Sequence, residues 1–382
     1  MDLELTVEQE MLRRNAREFL KKELAPLANK YEREYEVLPR DIMIKLFNMI
    51  TPFGYCNTLV PEEEGGIGLD YLSYGILLEE LARVYPALAI SEMGQALVGR
   101  PGMLTRPKEI KDKYLPRMLA NELICAVGLT EPDMGSSAPR GMTTSAVLKG
   151  NEYIINGTKT WSTNGDIADI YNVSAMIDVG NGRKEAASFV VDRAQSKVTT
   201  TVFSKMGLRG AGHAELAFED CRVPVENYVP PQPPQNYHTG RLGISSIALG
   251  IAEAAMECAV DYVHQRKQFG KQIGQFQLMQ ELIAEMATDI ECARYLCYKG
   301  WHMMDKGTCT HLECSMPKYF NTEMAIRVTS NAIEIHGAYG ISDEYPLERY
   351  YRDARCLTFP DGTTEIQKLI MGREILGLKA FV

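Results

Sequence analysis

The sequence predicts an α+β multidomain protein, with an N-terminal all-α domain over residues 1–122, a middle antiparallel β-barrel domain over 123–229 and a C-terminal four-helix bundle over 230–382. Three observations predict it. Apolar residues recur at helical spacing up to about residue 122. From Ile124 the texture changes to short Val-, Ile-, Thr- and Tyr-rich segments broken by turn residues. A proline cluster then gives way to four long amphipathic stretches.

The first helix starts at a capping-box pair, Thr6 and Gln9, and buries a face made by Met11, Leu12, Ala16, Phe19 and Leu20. Further helices are predicted over Pro39 to Ile50, Asp70 to Val84 and Pro107 to Asn121, separated by Gly- and Pro-rich breaks. Strands are predicted at Tyr153 to Ile155, Ile170 to Ala175, Ser188 to Val191 and Val198 to Val202. Turn-like Lys149-Gly150-Asn151, Asn156-Gly157 and Gly180-Asn181-Gly182 join them as hairpins. Pro230, Pro231, Pro233 and Pro234 form a stiff connector, because proline enters neither a helix ladder nor a sheet. The bundle helices are predicted over Arg241 to Arg266, Phe276 to Asp305, Cys309 to His336 and Thr363 to Leu378.

Composition narrows the function. The net charge of −9 lacks the basic footprint that nucleic acid binding requires. No run of eighteen apolar residues suggests a membrane span, and the acidic start Met1-Asp2-Leu3-Glu4-Leu5 is unlike a basic leader, so a cytoplasmic location is the default expectation. Nine scattered cysteines read as reduced thiols. Cys309, His311 and Cys314 are close enough for a metal clip, but no second pair nearby completes four ligands. They read as ordinary helical residues, and no metal is expected.

The segment Phe359-Pro360-Asp361-Gly362-Thr363-Thr364-Glu365-Ile366-Gln367 places a carboxylate on a tight turn before a helix that Thr363 or Thr364 caps. On its own it reads as a capped helix start with a solvated turn residue. Three further segments occur in order upstream: Gly128-Leu129-Thr130-Glu131-Pro132-Asp133-Met134-Gly135-Ser136, Tyr153 through Asn164 with Lys159-Thr160-Trp161-Ser162-Thr163, and Arg266-Lys267-Gln268-Phe269-Gly270-Lys271 with Phe276-Gln277. A supporting stretch runs from Pro61 to Gly68. With these motifs the chain resembles an acyl-CoA dehydrogenase over essentially its whole length, and no G-x-G-x-x-G fingerprint or Walker loop competes.

The resemblance implies FAD between the β domain and the bundle. It implies Leu129 and Thr130 at the isoalloxazine edge, Gly135 and Ser136 near pyrophosphate and thioester, Trp161 packed on the ring and Thr163 bonded beside it. Without a flavin, Trp161 reads as a buried hairpin aromatic. Arg266 and Phe269 would serve the FAD of a neighbouring subunit, with Ile273 and Phe276 beside the adenine. Glu334, His336, Gly337 and Ala338 would close around the diphosphate, and Thr363 and Glu365 would follow the catalytic turn. The implied partners are an acyl-CoA substrate, electron transfer flavoprotein and further copies of the chain, as a dimer of dimers.

In the implied reaction Asp361 removes the proton next to the thioester carbonyl and flavin N5 receives hydride from the next carbon. Ser136, His238, Arg241, Gly362 and Glu92 would bind substrate. Several positions depart from the family pattern: Pro360-Asp361 for tyrosine and glutamate, Gly240 where some members carry an alternative glutamate base, His238 and Ser137 for aspartates, and Glu334 for glutamine. Aspartate is shorter than glutamate by about 1.5 Å, and a misplacement of that size costs about 10²-fold in rate. Either the substrate sits differently, the turn moves inward, or Asp361 is not the sole base. Together the departures argue for an uncommon substrate, a cyclic or otherwise unusual acyl group, with a ring holding its α-proton at an angle that suits a shorter base. Glu92 either turns inward toward that group or faces solvent. Two rival functions are a flavin oxidase of the same fold, similar to nitroalkane oxidase, and a catalytically silent flavoprotein or assembly subunit.

Overall fold

A computed structural model describes residues 4–135, 141–180, 182–230 and 237–380. The element order is helical, then β, then helical. Helices α1 (Val7–Phe19), α2 (Ala25–Glu34), α3 (Arg40–Ile50), α4 (Tyr71–Val84), α5 (Pro86–Met93), α6 (Arg100–Leu104) and α7 (Lys108–Leu119) form the first part. The predicted Thr6–Gln9 capping box is present at α1. Asp70 caps α4 from its own chain end, while the distant Asp305 carboxylate accepts from the backbone N–H groups of Tyr71 and Leu72.

The β domain comprises β1 (Cys125–Gly128), β2 (Ser145–Lys149), β3 (Glu152–Thr163), β4 (Ile170–Asp178), β5 (Lys184–Asp192), β6 (Thr199–Val202), β7 (His213–Pro224) and β8 (Tyr228–Val229). Hydrogen bonding follows the order β6-β7-β3-β2-β4-β5-β8, with β1 beside β4. Pairing is antiparallel except for β1 with β4 and a single contact of β2 with β4, which are parallel. Asn156-Gly157 is not the hairpin turn its composition suggests. Both residues lie inside β3, opposite a bulge on β7 where Asn156 Oδ1 accepts from the Asp220 backbone N–H. A Cβ on Gly157 would lie 2.6 Å from the Thr144 hydroxyl, so glycine serves close strand approach there.

The last part holds α8 (His238–Gln265), a short hairpin of β9 (Lys267–Gln268) and β10 (Lys271–Gln272), α9 (Gln277–Asp305), α10 (His311–His336), α11 (Leu347–Cys356) and α12 (Thr364–Leu376). The hairpin and α11 are additions to the four predicted helices. By length and composition α8 is apolar enough to cross a membrane, yet 72% of its most apolar window is buried inside the protein. It is the central strut of the core. Gly250 admits the α4 backbone, since a Cβ there would lie 2.2 Å from the Glu79 carbonyl oxygen. The two helical parts, distant in sequence, thus share one apolar core in which Phe47, Tyr74 and Leu77 join Leu242, Ile247 and Trp301. The sheet has its own core around Tyr171, Phe189 and Phe218. Only Pro230 of the proline cluster's four residues lies within the described residues.

Candidate active site

Asp361 stands on the turn between α11 and α12 with φ of +54°, followed by Gly362 at +95°. Aspartate is among the few side chains that tolerate this left-handed region. Three side chains hold the turn. Lys318 Nζ on α10 donates to the Thr358 carbonyl at 2.8 Å. Gln367 Nε2 donates to the carbonyls of Asp361 and Gly362 at 2.9 and 3.0 Å. Thr364 Oγ1 donates to Glu323 at 2.8 Å. Of the two candidate caps it is Thr363 whose hydroxyl accepts from the Ile366 N–H.

Burial raises the pKa of the Asp361 carboxyl, and the charges of Lys318 and Arg241 pull it back down. Lys318 is fully buried, and its pKa is pushed down to about 8 by desolvation, with the Asp361 charge the leading opposing influence. Burial and the two cations thus act on this carboxyl in opposite directions, with burial the larger influence. The start of α8 faces it. A Cβ on Gly240 would sit 2.5 Å from Asp361 Oδ1 and 2.8 Å from its Cγ. Positions 240 and 361 therefore converge on one space, and glycine at 240 leaves it to Asp361.

A second wall comes from β1 and β3. Lys159, fully buried, donates to Glu131 at 2.8 Å and to the Leu129 carbonyl at 3.2 Å. Glu131 also accepts from the backbone N–H groups of Thr143 and Thr144 and from the Thr143 hydroxyl; against burial, which pushes its pKa up, Lys159 first and then these threonine groups hold the carboxyl at about 2. Removing one partner would strand a buried charge at a cost of about 3–5 kcal/mol. This pair, with the Thr160 N–H bonded to the Thr130 carbonyl at 2.8 Å, fixes Leu129 and Thr130 against β3. An extra residue on β3 between Lys159 and Ser162 then turns Trp161 to φ +58°. Its indole is 55% exposed and stacks on Phe203, so it is not a buried hairpin aromatic. Asn164 Nδ2 donates to the Ser91 carbonyl on α5 at 3.0 Å, and Met93 of the same helix meets α8 at Gly243. One short helix thereby ties the Trp161 wall to the helix that faces Asp361.

The remaining residues divide by location. Thr163 Oγ1 lies 3.3 Å from His213 Nε2. Arg266 and Phe269 are exposed at and beyond the far end of α8, Phe269 by 92%, with Ile273 and Phe276 close behind. Gly240 and Arg266 are 26 positions apart along this helix, about 39 Å at 1.5 Å per residue. Glu334, Gly337, Ala338 and Glu365 are exposed. His336 is buried against Tyr262, its Nδ1–H donating to the Ala332 carbonyl at 2.8 Å. Glu92 does not face solvent. It is fully buried, accepting from the Cys56 N–H at 2.8 Å and the Tyr74 hydroxyl at 3.0 Å, with burial raising its pKa to about 7. His238 turns to His311, and Arg241 lies beside both. Gly135 is described, whereas Ser136 and Ser137 lie outside the described residues.

Lys318 and Gln367 escaped the sequence reading. The available signal for Lys318 was its phase: it falls on the α10 stripe of buried Cys314, Asn321 and Ala325, where a lysine demands a reason.

An exposed indole on a bulged strand suits the face of a flat ring system. Beside it in sequence, Ser162 Oγ and Asn164 Oδ1 are buried with no hydrogen-bond partner among the described residues, and so is His336 Nε2 at the end of α10. With a desolvated carboxylate across α5 and α8, these features fit FAD. They define a flavoprotein oxidoreductase of the α, β, α type.

Comparison with known proteins gives the family. Residues 6–122, 126–221 and 234–376 match the N-terminal, middle and C-terminal domains of acyl-CoA dehydrogenase. An acyl-CoA dehydrogenase of Bacillus subtilis is 36% identical, with 98% of this chain and 100% of that one covered. The cyclohex-1-ene-1-carbonyl-CoA dehydrogenase of Syntrophus aciditrophicus is 36% identical over 98% and 91% of the two chains. A subunit of the caffeyl-CoA reductase-Etf complex of Acetobacterium woodii is 34% identical over 97% and 98%. Among solved structures, butyryl-CoA dehydrogenase from Megasphaera elsdenii superposes with a TM-score of 0.90 at 32% identity, covering 98% and 100%. A glutaryl-CoA dehydrogenase from Mycobacterium smegmatis in complex with FADH2 gives 0.90 at 25% identity over 99% and 97%. The chain belongs to the acyl-CoA dehydrogenase family. It is an FAD-dependent oxidoreductase of acyl-CoA thioesters.

Proposed function

We propose that this chain dehydrogenates an acyl-CoA thioester at the α,β bond with Asp361 as base, and that the acyl group bears a ring. FAD, when bound, supplies the hydride acceptor. The protein's own part is proton chemistry: Asp361 takes the proton from the carbon next to the thioester carbonyl, in a setting partly shielded from water. The observation that carries the reading is the Asp361 turn, braced by Lys318 and Gln367 and facing a glycine on α8. A ring would present its α-proton at an angle suited to a shorter acid, and the 36% identity to a relative named for a cyclohexene carbonyl thioester supports this.

The roughly 39 Å between Gly240 and Arg266 supports a shared cofactor site, in which Arg266 and Phe269 serve the FAD of another copy. The assembly is then a dimer of dimers. Electron transfer flavoprotein is the proposed electron partner, in keeping with the Etf-complex relative. The test is anaerobic flavin bleaching by straight, branched, aromatic and alicyclic acyl-CoA thioesters. An alicyclic thioester should bleach fastest, and Asp361→Asn, which preserves the left-handed backbone, should keep FAD while slowing bleaching by orders of magnitude. Undiminished bleaching by Asp361→Asn would reject the base.

A further inference from the structure

Three metal-binding side chains converge where α8 and α10 begin, with a fourth, Cys309, just ahead of α10. His238 opens α8, His311 opens α10, Cys314 lies one turn further on, and Cys309 precedes that helix. His238 Nε2, His311 Nδ1 and Cys314 Sγ lie within 4.8 Å of one another, the two nitrogens 3.1 Å apart. Cys309 lies next to this trio, its thiol donating to the Thr310 carbonyl at 3.6 Å while that of Cys314 donates to the His311 carbonyl at 3.4 Å. His238 supplies the member that the sequence around Cys309 lacks, from 73 positions away.

We propose that His238 Nε2, His311 Nδ1, Cys314 Sγ and Cys309 Sγ bind one divalent cation of the zinc type. Imidazole and thiolate are the donors such an ion selects over oxygen. Bonds of about 2.0 Å to nitrogen and 2.3 Å to sulfur in a tetrahedron set ligand atoms about 3.3–3.8 Å apart, so small shifts suffice for His238, His311 and Cys314, and Cys309 swings in as the fourth ligand. The facing nitrogens add a physical reason. The two imidazole nitrogens, 3.1 Å apart, share either the N–H proton of one tautomer or a cation that replaces it. Two thiolates neutralise a divalent ion, and Arg241, whose Nη1 already donates to Cys314 Sγ at 3.5 Å and lies 3.4 Å from His311 Nδ1, is placed to keep donating to the sulfur as an outer-shell group. The acidic trio Glu79, Glu80 and Glu253 offers a contrast, since Arg17, Arg83 and Arg294 already answer its charge. The bound ion would clamp the start of α8 to α10 close to Gly240 and Asp361.

The test uses FAD-loaded enzyme, purified under reducing, anaerobic conditions, dialysed against a chelator and titrated with cobalt(II). One equivalent per chain should bind with the red ligand-field bands of tetrahedral thiolate-bound cobalt, which lie clear of flavin absorption, and zinc(II) should displace it. Cys314→Ser and His311→Asn should each abolish the bands. Cys292→Ser, on an exposed face of α9, should leave them intact, and FAD content checks folding in every variant. Absence of bands with excess cobalt in the folded holoenzyme, or bands that persist in either ligand variant, would overturn the site and leave Arg241 as the cluster's only cation.

Discussion

Gly240→Ala tests the geometry of the proposed base, Asp361, at its tightest point. The new methyl carbon would lie 2.5 Å from Asp361 Oδ1, whereas ordinary contact begins at 3.4 Å, so the carboxylate must retreat by about 1 Å. The turn cannot follow freely, because Gln367 and Lys318 bond its carbonyls. A displacement of that size at a reacting atom costs about 10²-fold in rate, roughly 3 kcal/mol of barrier. The assay is single-turnover anaerobic flavin reduction by the most active thioester of the panel, with FAD content and melting temperature as controls. The loss should fall on the rate at saturating substrate. An unchanged rate in a protein that retains FAD would show that Asp361 does not work from its described position.

Lys318→Met removes a cation that holds the Asp361 pKa down. Because the base must be ionised, the acid limb of the kcat/KM profile should move to higher pH, and a profile left in place would separate Lys318 from the chemistry. Glu92→Gln should change how stability depends on pH. Below the ordinary glutamate value of 4.5 folded and unfolded chains both hold the proton, between 4.5 and about 7 only the folded chain does, and above about 7 the folded chain carries a buried charge. The wild type therefore loses on the order of 3 kcal/mol from this residue as pH rises through that window. Chemical denaturation of Glu92→Gln should lack that component, and parallel wild-type and variant curves would refute it.

The helical parts and four of the eight strands of the β domain, β3 to β6, were legible because their apolar periods differ so plainly. Asn156-Gly157 misled because the same dipeptide serves a tight turn and a strand that must approach its neighbour closely, and only the partner strand distinguishes them. Asp361 was legible as a carboxylate before a capped helix. Its supports were not, because Lys318 and Gln367 reach its turn from 43 and 6 positions away, and long-range contacts leave no mark on local pattern. Glu92 stayed undecided for a similar reason: the Cys56 N–H and the Tyr74 hydroxyl that make its burial tolerable lie 36 and 18 residues away.

The Glu131–Lys159 pair carries a warning for anyone who infers activity from resemblance. Those two residues sit at the heart of the two most recognisable signatures upstream of the base, yet their work is mechanical, pinning a loop to a strand. A descendant that had abandoned oxidation altogether would still collapse without them. The signatures would outlive the chemistry, and whether such a cousin turns over must be judged from the acid and its neighbours instead.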